Sequence, residues 1–327
     1  MRRRSGFGKR KSMTVCIAAV CGVAHEDGPF VITAADRMIT IGNLEYEPQQ
    51  TKAIYLATQT VALVAGDMQL HAAVVPRVDA RIKDHTKDHG GTITVATIAD
   101  FYAEEFGYHR RVLAEREILV PRGLNFDRFL SRQATMSQHQ VVEIDNRLAS
   151  YVVESSAIIA GIDETGGHVW VIENPGVAHC YDTPFFACIG SGASLAESQF
   201  MVKRFDKTWS LPQSIWLAYE AKARAEAAGG VGQQSDLIII GRGGKKIPLG
   251  DADKDMLSKL FQHVTEKERD LAEHCVSAIE DYIEQQTHQS KSQDMQQTAT
   301  SEDAQRDATK SNQRRRAPPP KARNKKS

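Results

Sequence analysis

Short apolar, β-prone runs arrive along this chain in two batches, and each batch is followed by a pair of helical stretches. Residues 14–23 (TVCIAAVCGV) and 30–35 (FVITAA) flank HEDGP, where Asp27-Gly28 supplies the positive-φ position of a hairpin. Further runs at 52–58 (KAIYLAT) and 60–65 (TVALVA) close at Gly66-Asp67. The period then changes. Leu70, Val74, Val75, Val78 and Ile82 recur at helical spacing behind Asp67, with Pro76 expected to kink that helix or to cap a later one. A second helix over about 97–115 carries Ile98, Tyr102, Phe106 and Val112, and the Tyr102 hydroxyl calls for a partner or water at the edge of that face. Strands return at 156–161 and 168–173 and in a run through Phe185 to Gly190-Ser191-Gly192, which together read as another hairpin series. Helices resume over 192–206 and 213–228 and end at Gly229-Gly230, before a last buried strand at 235–241. This order predicts an α+β chain with helices layered on sheets.

Segment 116–150 breaks the rhythm. It reads as a loop with a short helix and no core stripe, an insertion in a domain spanning 14–250. Beyond 251, Met256, Leu257, Leu260, Phe261 and Val264, then Leu271, Cys275, Val276, Ile279, Tyr282 and Ile283, mark an amphipathic helical extension to 285. It would pack on the domain or on a neighbouring subunit. Residues 286–327 offer almost nothing to bury and are expected to be a disordered, basic tail.

The chain carries 41 bases and 41 acids, a balance that conceals a segregation. Residues 1–12 hold six bases and no acid, and 301–327 hold nine bases and three acids. Removing those fifteen bases and three acids leaves 26 against 38, so residues 13–300 carry a formal charge of −12. At 41% hydrophobic and 25% charged, the composition argues against a fibrous or wholly disordered chain. No run of 18 apolar residues exists, so no membrane partner is expected. The basic start followed by TVCIAAVCGVA has the shape of a secretory signal cleaved near Ala24, but a cleaved signal needs no partner strand and FVITAA supplies one. Five cysteines, with no CxxC pair and no zinc spacing, fit a reducing compartment, the cytoplasm. His85 and His89 stand at i,i+4 with no third ligand placed by pattern, so neither a metal nor a cofactor is expected.

Singly, Thr14 before a strand, Asp36 at a strand end and Lys52 before AIY are ordinary. Together, TVCIAAVC…FVITAADRM, TKAIYLATQTVALVAGD, IIAGIDETGGHVWVIENPG and ACIGSGAS resemble the β-type subunits of the proteasome core and their simpler bacterial relatives. The spacings from Asp36 to Lys52 and from Lys52 to Gly66 fit that family's pattern without gaps, and GSG follows the second strand group. The resemblance covers about 14–115 and 155–241. It implies the N-terminal nucleophile hydrolase fold, a four-layer αββα sandwich of two stacked, mainly antiparallel sheets flanked by helices.

Carried over, Thr14 corresponds to the catalytic threonine, Lys52 to the lysine that eases alkoxide formation, and Asp36 to the carboxylate that orients it. Gly66 corresponds to the glycine whose N–H points into the oxyanion hole, and Ser191 to the serine beside the threonine amine. Where the family has an aspartate three residues before a second serine, this chain reads Gly232-Gln-Gln-Ser235, with Asp236 one step beyond. Residues near Thr33, Val64 and Met68 are where the resemblance places selectivity. A hydroxyl needs an adjacent base, and the α-amine of a terminal threonine supplies one. Residues 1–13 are accordingly expected to be a basic leader removed in maturation or a misassigned start ahead of Met13; an uncleaved chain would be a non-catalytic subunit of the same ring. The implied activity is cleavage of peptide or amide bonds in peptides or unfolded proteins by a homo-oligomeric ring. The resemblance leaves room for an ATP-dependent unfoldase partner. The basic tails leave room for salt-sensitive nucleic-acid contact, without aromatics for base stacking.

Overall fold

Asp27-Gly28 lies in the turn that joins β1 (Cys16–Cys21) to β2 (Phe30–Asp36) as an antiparallel pair, with Cys16 opposite Ala35 and Cys21 opposite Phe30, but the positive-φ position of that connection is Gly22, at φ +67°, not Gly28. The computed structural model describes residues 14–41, 44–47, 51–91 and 93–315. A small hairpin, β3 (Ile39–Ile41) and β4 (Leu44–Tyr46), precedes β5 (Ala53–Ala57) and β6 (Thr60–Gly66). Helices α1 (Met68–Asp88) and α2 (Val95–Ala114) follow, capped by the Asp67 and Thr94 side chains. After α3 (Phe126–Arg132) and α4 (Gln138–Ala149) come β7 (Ser155–Asp163), β8 (Gly166–Glu173), β9 (Val177–Cys180) and β10 (Phe186–Ile189). Helices α5 (Ala193–Val202) and α6 (Leu211–Ala225), β11 (Ser235–Ile240), β12 (Lys246–Pro248) and α7 (Asp251–Arg315) complete the order.

The strands form two five-stranded antiparallel sheets, ordered β10-β1-β2-β11-β12 and β5-β6-β7-β8-β9. Alternation along β1 shows how they stack, because successive side chains leave opposite faces of a strand. Cys16, Ala18 and Val20 share a buried cluster with Leu63, Ile158 and Val171 of the other sheet. Val15, Ile17, Ala19 and Cys21 share another with Phe200, Leu217 and Ala221 of α5 and α6. On the second sheet, Ala62, Val64 and Ile159 face Val74, Val78, Ile98 and Phe106 of α1 and α2. The layers therefore run helices, sheet, sheet, helices. Strands β1, β2, β6, β7 and β11 are buried on both sides, which is why their sequences read as continuous apolar runs.

Several local expectations are corrected. Pro76 caps no later helix: α1 runs through it, and the buried stripe Leu70, Val74, Val78 and Ile82 continues on both sides. The run from 168 to 189 is not one hairpin series, since β10 leaves the second sheet and pairs with β1 in the first. Segment 116–150 is mostly helical and has a core of its own. A π-helical turn at Glu115–Leu119 and helices α3 and α4 bring Ala114, Ile118, Leu119, Phe129 and Ile144 together. Helix α7 continues past Gln285 to Arg315, where the composition predicts disorder. Residues 251–315 contain no glycine or proline, and the first breaker is Pro318.

Contacts divide the chain into units 1–258 and 259–327. The second is the continuation of α7, on which Leu271, Val276, Ile279, Tyr282 and Ile283 are each more than half exposed. Among the described residues no helix is long and apolar enough to cross a membrane.

Phe200 is 1% exposed and stacks on Phe186 at 4.6 Å between ring centroids, whereas Val202, one turn-half away, is 74% exposed. Phe200→Ala is expected to lower unfolding free energy by about 3–5 kcal/mol through cavity formation. Val202→Ala should change it by less than about 0.5 kcal/mol. Urea denaturation of the two variants checks the pair.

Candidate active site

Thr14 sits just before β1, at the end of the inner face. Its Oγ1 hydrogen-bonds the Asp36 carboxylate Oδ1 and accepts from the Lys52 ammonium. Lys52 Nζ also reaches Asp36 Oδ1 at 2.9 Å, closing a triangle of three buried groups. Asp36 ends β2, and Lys52 stands immediately before β5 in the opposite sheet, where Val64 N–H donates to the Lys52 carbonyl at 3.4 Å. The stacking of the sheets thus brings the pair to the hydroxyl. A buried ion pair persists only when its remaining hydrogen-bonding capacity is filled. Asp36 Oδ1 accepts the Val15 N–H at 2.9 Å, and Oδ2 accepts the N–H groups of Met38 at 2.9 Å and Gly232 at 3.1 Å.

The backbone of Thr14 is held by the turn after β10. Thr14 N–H donates to Ser191 Oγ at 3.1 Å, and Gly192 N–H donates to the Thr14 carbonyl at 3.1 Å. Gly190, at φ +94°, has no room for a Cβ, which would lie 2.6 Å from Thr14 Cγ2. Only glycine permits both that dihedral and that approach.

Thr14, Asp36, Lys52 and Ser191 are therefore joined by direct hydrogen bonds. Gly66 and Ser235 are placed differently, and among the described contacts neither bonds Thr14. Gly66 closes β6 at φ +100°, where a Cβ would meet Ser155 Cα at 2.5 Å. The adjoining strand reaches the site, since Cys16 Sγ bonds the Val64 carbonyl at 3.6 Å. Ser235 is buried opposite Asp36 in the β2–β11 ladder. Asp236, one step beyond Ser235, is engaged by Arg37 at 2.5 and 2.8 Å, and the carboxylate that lies against position 232 is that of Glu47. Val64 and Met68, where selectivity was expected, pack toward α1 and α2, while Thr33 is buried on the inner face of β2.

Two further features were not singled out from sequence. Cys16 is buried two residues from Thr14, and burial pushes its thiol up to about 12, with Lys52 lowering and Asp36 raising it. It is un-ionised at neutral pH and does not compete as a nucleophile. His71, also buried, places Nε2 3.0 Å from the Ala65 carbonyl and Nδ1 2.7 Å from the Tyr102 hydroxyl. A carbonyl only accepts, so Nε2 carries the proton and Nδ1 accepts from Tyr102. The Ala65 carbonyl shares one planar peptide unit with the Gly66 N–H, so His71 fixes the direction of that donor. A lone histidine five residues beyond Gly66 carries no pattern by which sequence would find it.

Among the described residues no group of three or more His, Cys, Asp or Glu is placed to hold a metal ion. His85 and His89 stack on each other at 4.1 Å and line a cavity of about 1010 Å³ with Thr60, Ile82 and Asp163, apart from the Thr14 cluster. No protein-family model matches the chain, and no curated protein matches it.

Burial lowers the pKa of His71, against smaller opposing effects of the Ala65 carbonyl and Asp67. An unfolded histidine titrates near about 6.5, so below that value the unfolded chain holds the extra proton. The stability due to neutral His71 is complete above about pH 6.5 and is lost as pH falls toward the folded value. Urea midpoints measured across that range are expected to fall more steeply for the wild type than for His71→Gln.

Proposed function

We propose that this chain is a threonine-type N-terminal nucleophile hydrolase, related to the proteasome β-type subunits and their bacterial relatives, that cleaves peptide or amide bonds through an acyl-enzyme on Thr14. The observation that carries this reading is the Thr14 hydroxyl, bonded to both Asp36 and Lys52 while its own nitrogen lies on Ser191 Oγ. The chemistry requires the Met13–Thr14 bond to be open, so that this nitrogen is an amine.

An α-amine has an ordinary pKa of about 7.7–8.0, near enough to neutrality to serve as a base. The Lys52 cation beside it disfavours the ammonium form and keeps the base available. In acylation the Thr14 hydroxyl proton passes to the amine as Oγ1 bonds to the substrate carbonyl carbon. Lys52 stabilises the developing alkoxide, and Asp36 holds Lys52 in place. The Gly66 N–H, oriented through His71, meets the oxyanion; one such donor contributes about 3–4 kcal/mol to the transition state. Collapse breaks the amide C–N bond, and the ammonium returns the proton to the leaving amine. Water then gives a proton to the amine as its oxygen attacks the ester, and Thr14 Oγ1 leaves with that proton. Ser191 Oγ, placed 3.1 Å from the Thr14 nitrogen, is suited to relay it. Peptides or unfolded proteins as substrate, and a ring of identical chains around the site, belong to the same proposal.

An epoxyketone closes on a threonine hydroxyl and its free amine together. Mass spectrometry after incubation with one is expected to find an adduct on Thr14 in the wild type and none in Thr14→Ala. Lys52→Met should slow adduct formation and peptide hydrolysis by about 10²–10⁴-fold. A working protein whose Thr14 nitrogen is still joined to Met13, or a mature chain that forms no adduct, overturns the reading.

A further inference from the structure

Helix α6 carries a lysine whose side chain is wholly buried, Lys222. Taking an ammonium out of water is costly unless each of its three hydrogens finds an acceptor. Here they do: Glu226 Oε1 at 2.7 Å, one turn along the same helix, the Gly232 carbonyl at 2.7 Å and the Gln233 carbonyl at 2.8 Å. Burial lowers the pKa of Lys222, while the carboxylates of Glu226, Asp36 and Glu47 oppose that shift.

The two carbonyls belong to the segment that leads from α6 into β11. It reads Gly229-Gly230-Val231-Gly232-Gln233-Gln234, three glycines in four residues, with little conformational preference of its own. Gly232 is also the residue whose N–H donates to Asp36 Oδ2 at 3.1 Å. A Cβ there would lie 3.0 Å from Met38 Cβ and from Met38 N, so glycine lets this loop sit close against the exit of β2, with no side chain of its own to anchor it. Its position must be imposed from outside, and the ammonium is the group that grips its carbonyl.

We propose that Lys222 is a positioning residue of the Thr14 site: by holding the Gly232 and Gln233 carbonyls it sets the Gly232 N–H against Asp36, and so fixes the carboxylate that Thr14 and Lys52 share. This inference rests on the proposed hydrolase reading. Lys222 touches no reacting atom, so its loss should misplace the nucleophile without altering how a ligand docks.

The test compares epoxyketone reaction at Thr14 in the mature wild type, with the Met13–Thr14 bond open, and in mature Lys222→Met, separating the maximal rate of adduct formation from the concentration giving half that rate. The maximal rate is expected to fall about 10- to 100-fold, the size of effect that a small misplacement of reacting groups produces. The half-saturating concentration should stay within about twofold, as uniform binding is untouched. Lys222→Gln keeps two donors for the two carbonyls and is expected to recover part of the rate. A folded Lys222→Met that reacts as fast as the wild type overturns the inference, as does a rate loss that only follows the folded fraction measured by urea titration. If Lys222→Met does not fold, the same two outcomes are read on Lys222→Gln. A wild type that forms no adduct overturns the hydrolase reading itself, which keeps that failure distinct from a reactive wild type matched by its Lys222 variant.

Discussion

The Asp36 carboxylate is the fixed point of this molecule. It is fully buried and accepts from five donors: the Thr14 hydroxyl, the Val15 N–H, the Lys52 ammonium and the N–H groups of Met38 and Gly232. An uncompensated buried charge would cost several kcal/mol, so none of the five can drift without penalty. The donors come from the lead into β1, the exit of β2, the start of β5 and the approach to β11. One anion therefore ties four separate parts of the chain into a single geometry, and the hydroxyl of Thr14 is one of the things it ties.

The surroundings distinguish the groups that lie around this carboxylate. Cys16 and Cys188 are buried thiols whose pKa values burial raises, Cys16 to about 12, so neither is a thiolate at neutral pH. The glycines at 190 and 232 admit close backbone approach to Thr14 and to Met38. What is left with both an acceptor and a cation is the Thr14 oxygen.

The strands and main helices were readable from sequence because their faces are consistently buried, which leaves a period in the residues. Thr14, Asp36 and Lys52 were individually unremarkable and informative only through spacing. The helical insertion is hard to read because its core residues, Ala114, Ile118, Leu119, Phe129 and Ile144, are spread over one π-helical turn and three separate α-helices that share no single period. Strands β3, β4 and β12 have three residues each, too few to show alternation. The Gly232 contact is illegible in the sequence for another reason: the group that meets Asp36 Oδ2 from that loop is a backbone N–H, which every residue but proline carries and no residue type advertises.

Thr14 and Asp36 belong to one sheet and Lys52 to the other, with the Ser191 turn closing from the far edge of the first. A half-folded intermediate holding only one sheet would possess the oxygen without the cation, or the cation without its counter-ion. The geometry of this centre is in that sense a readout of finished assembly, complete only when both sheets have docked rather than within any local element.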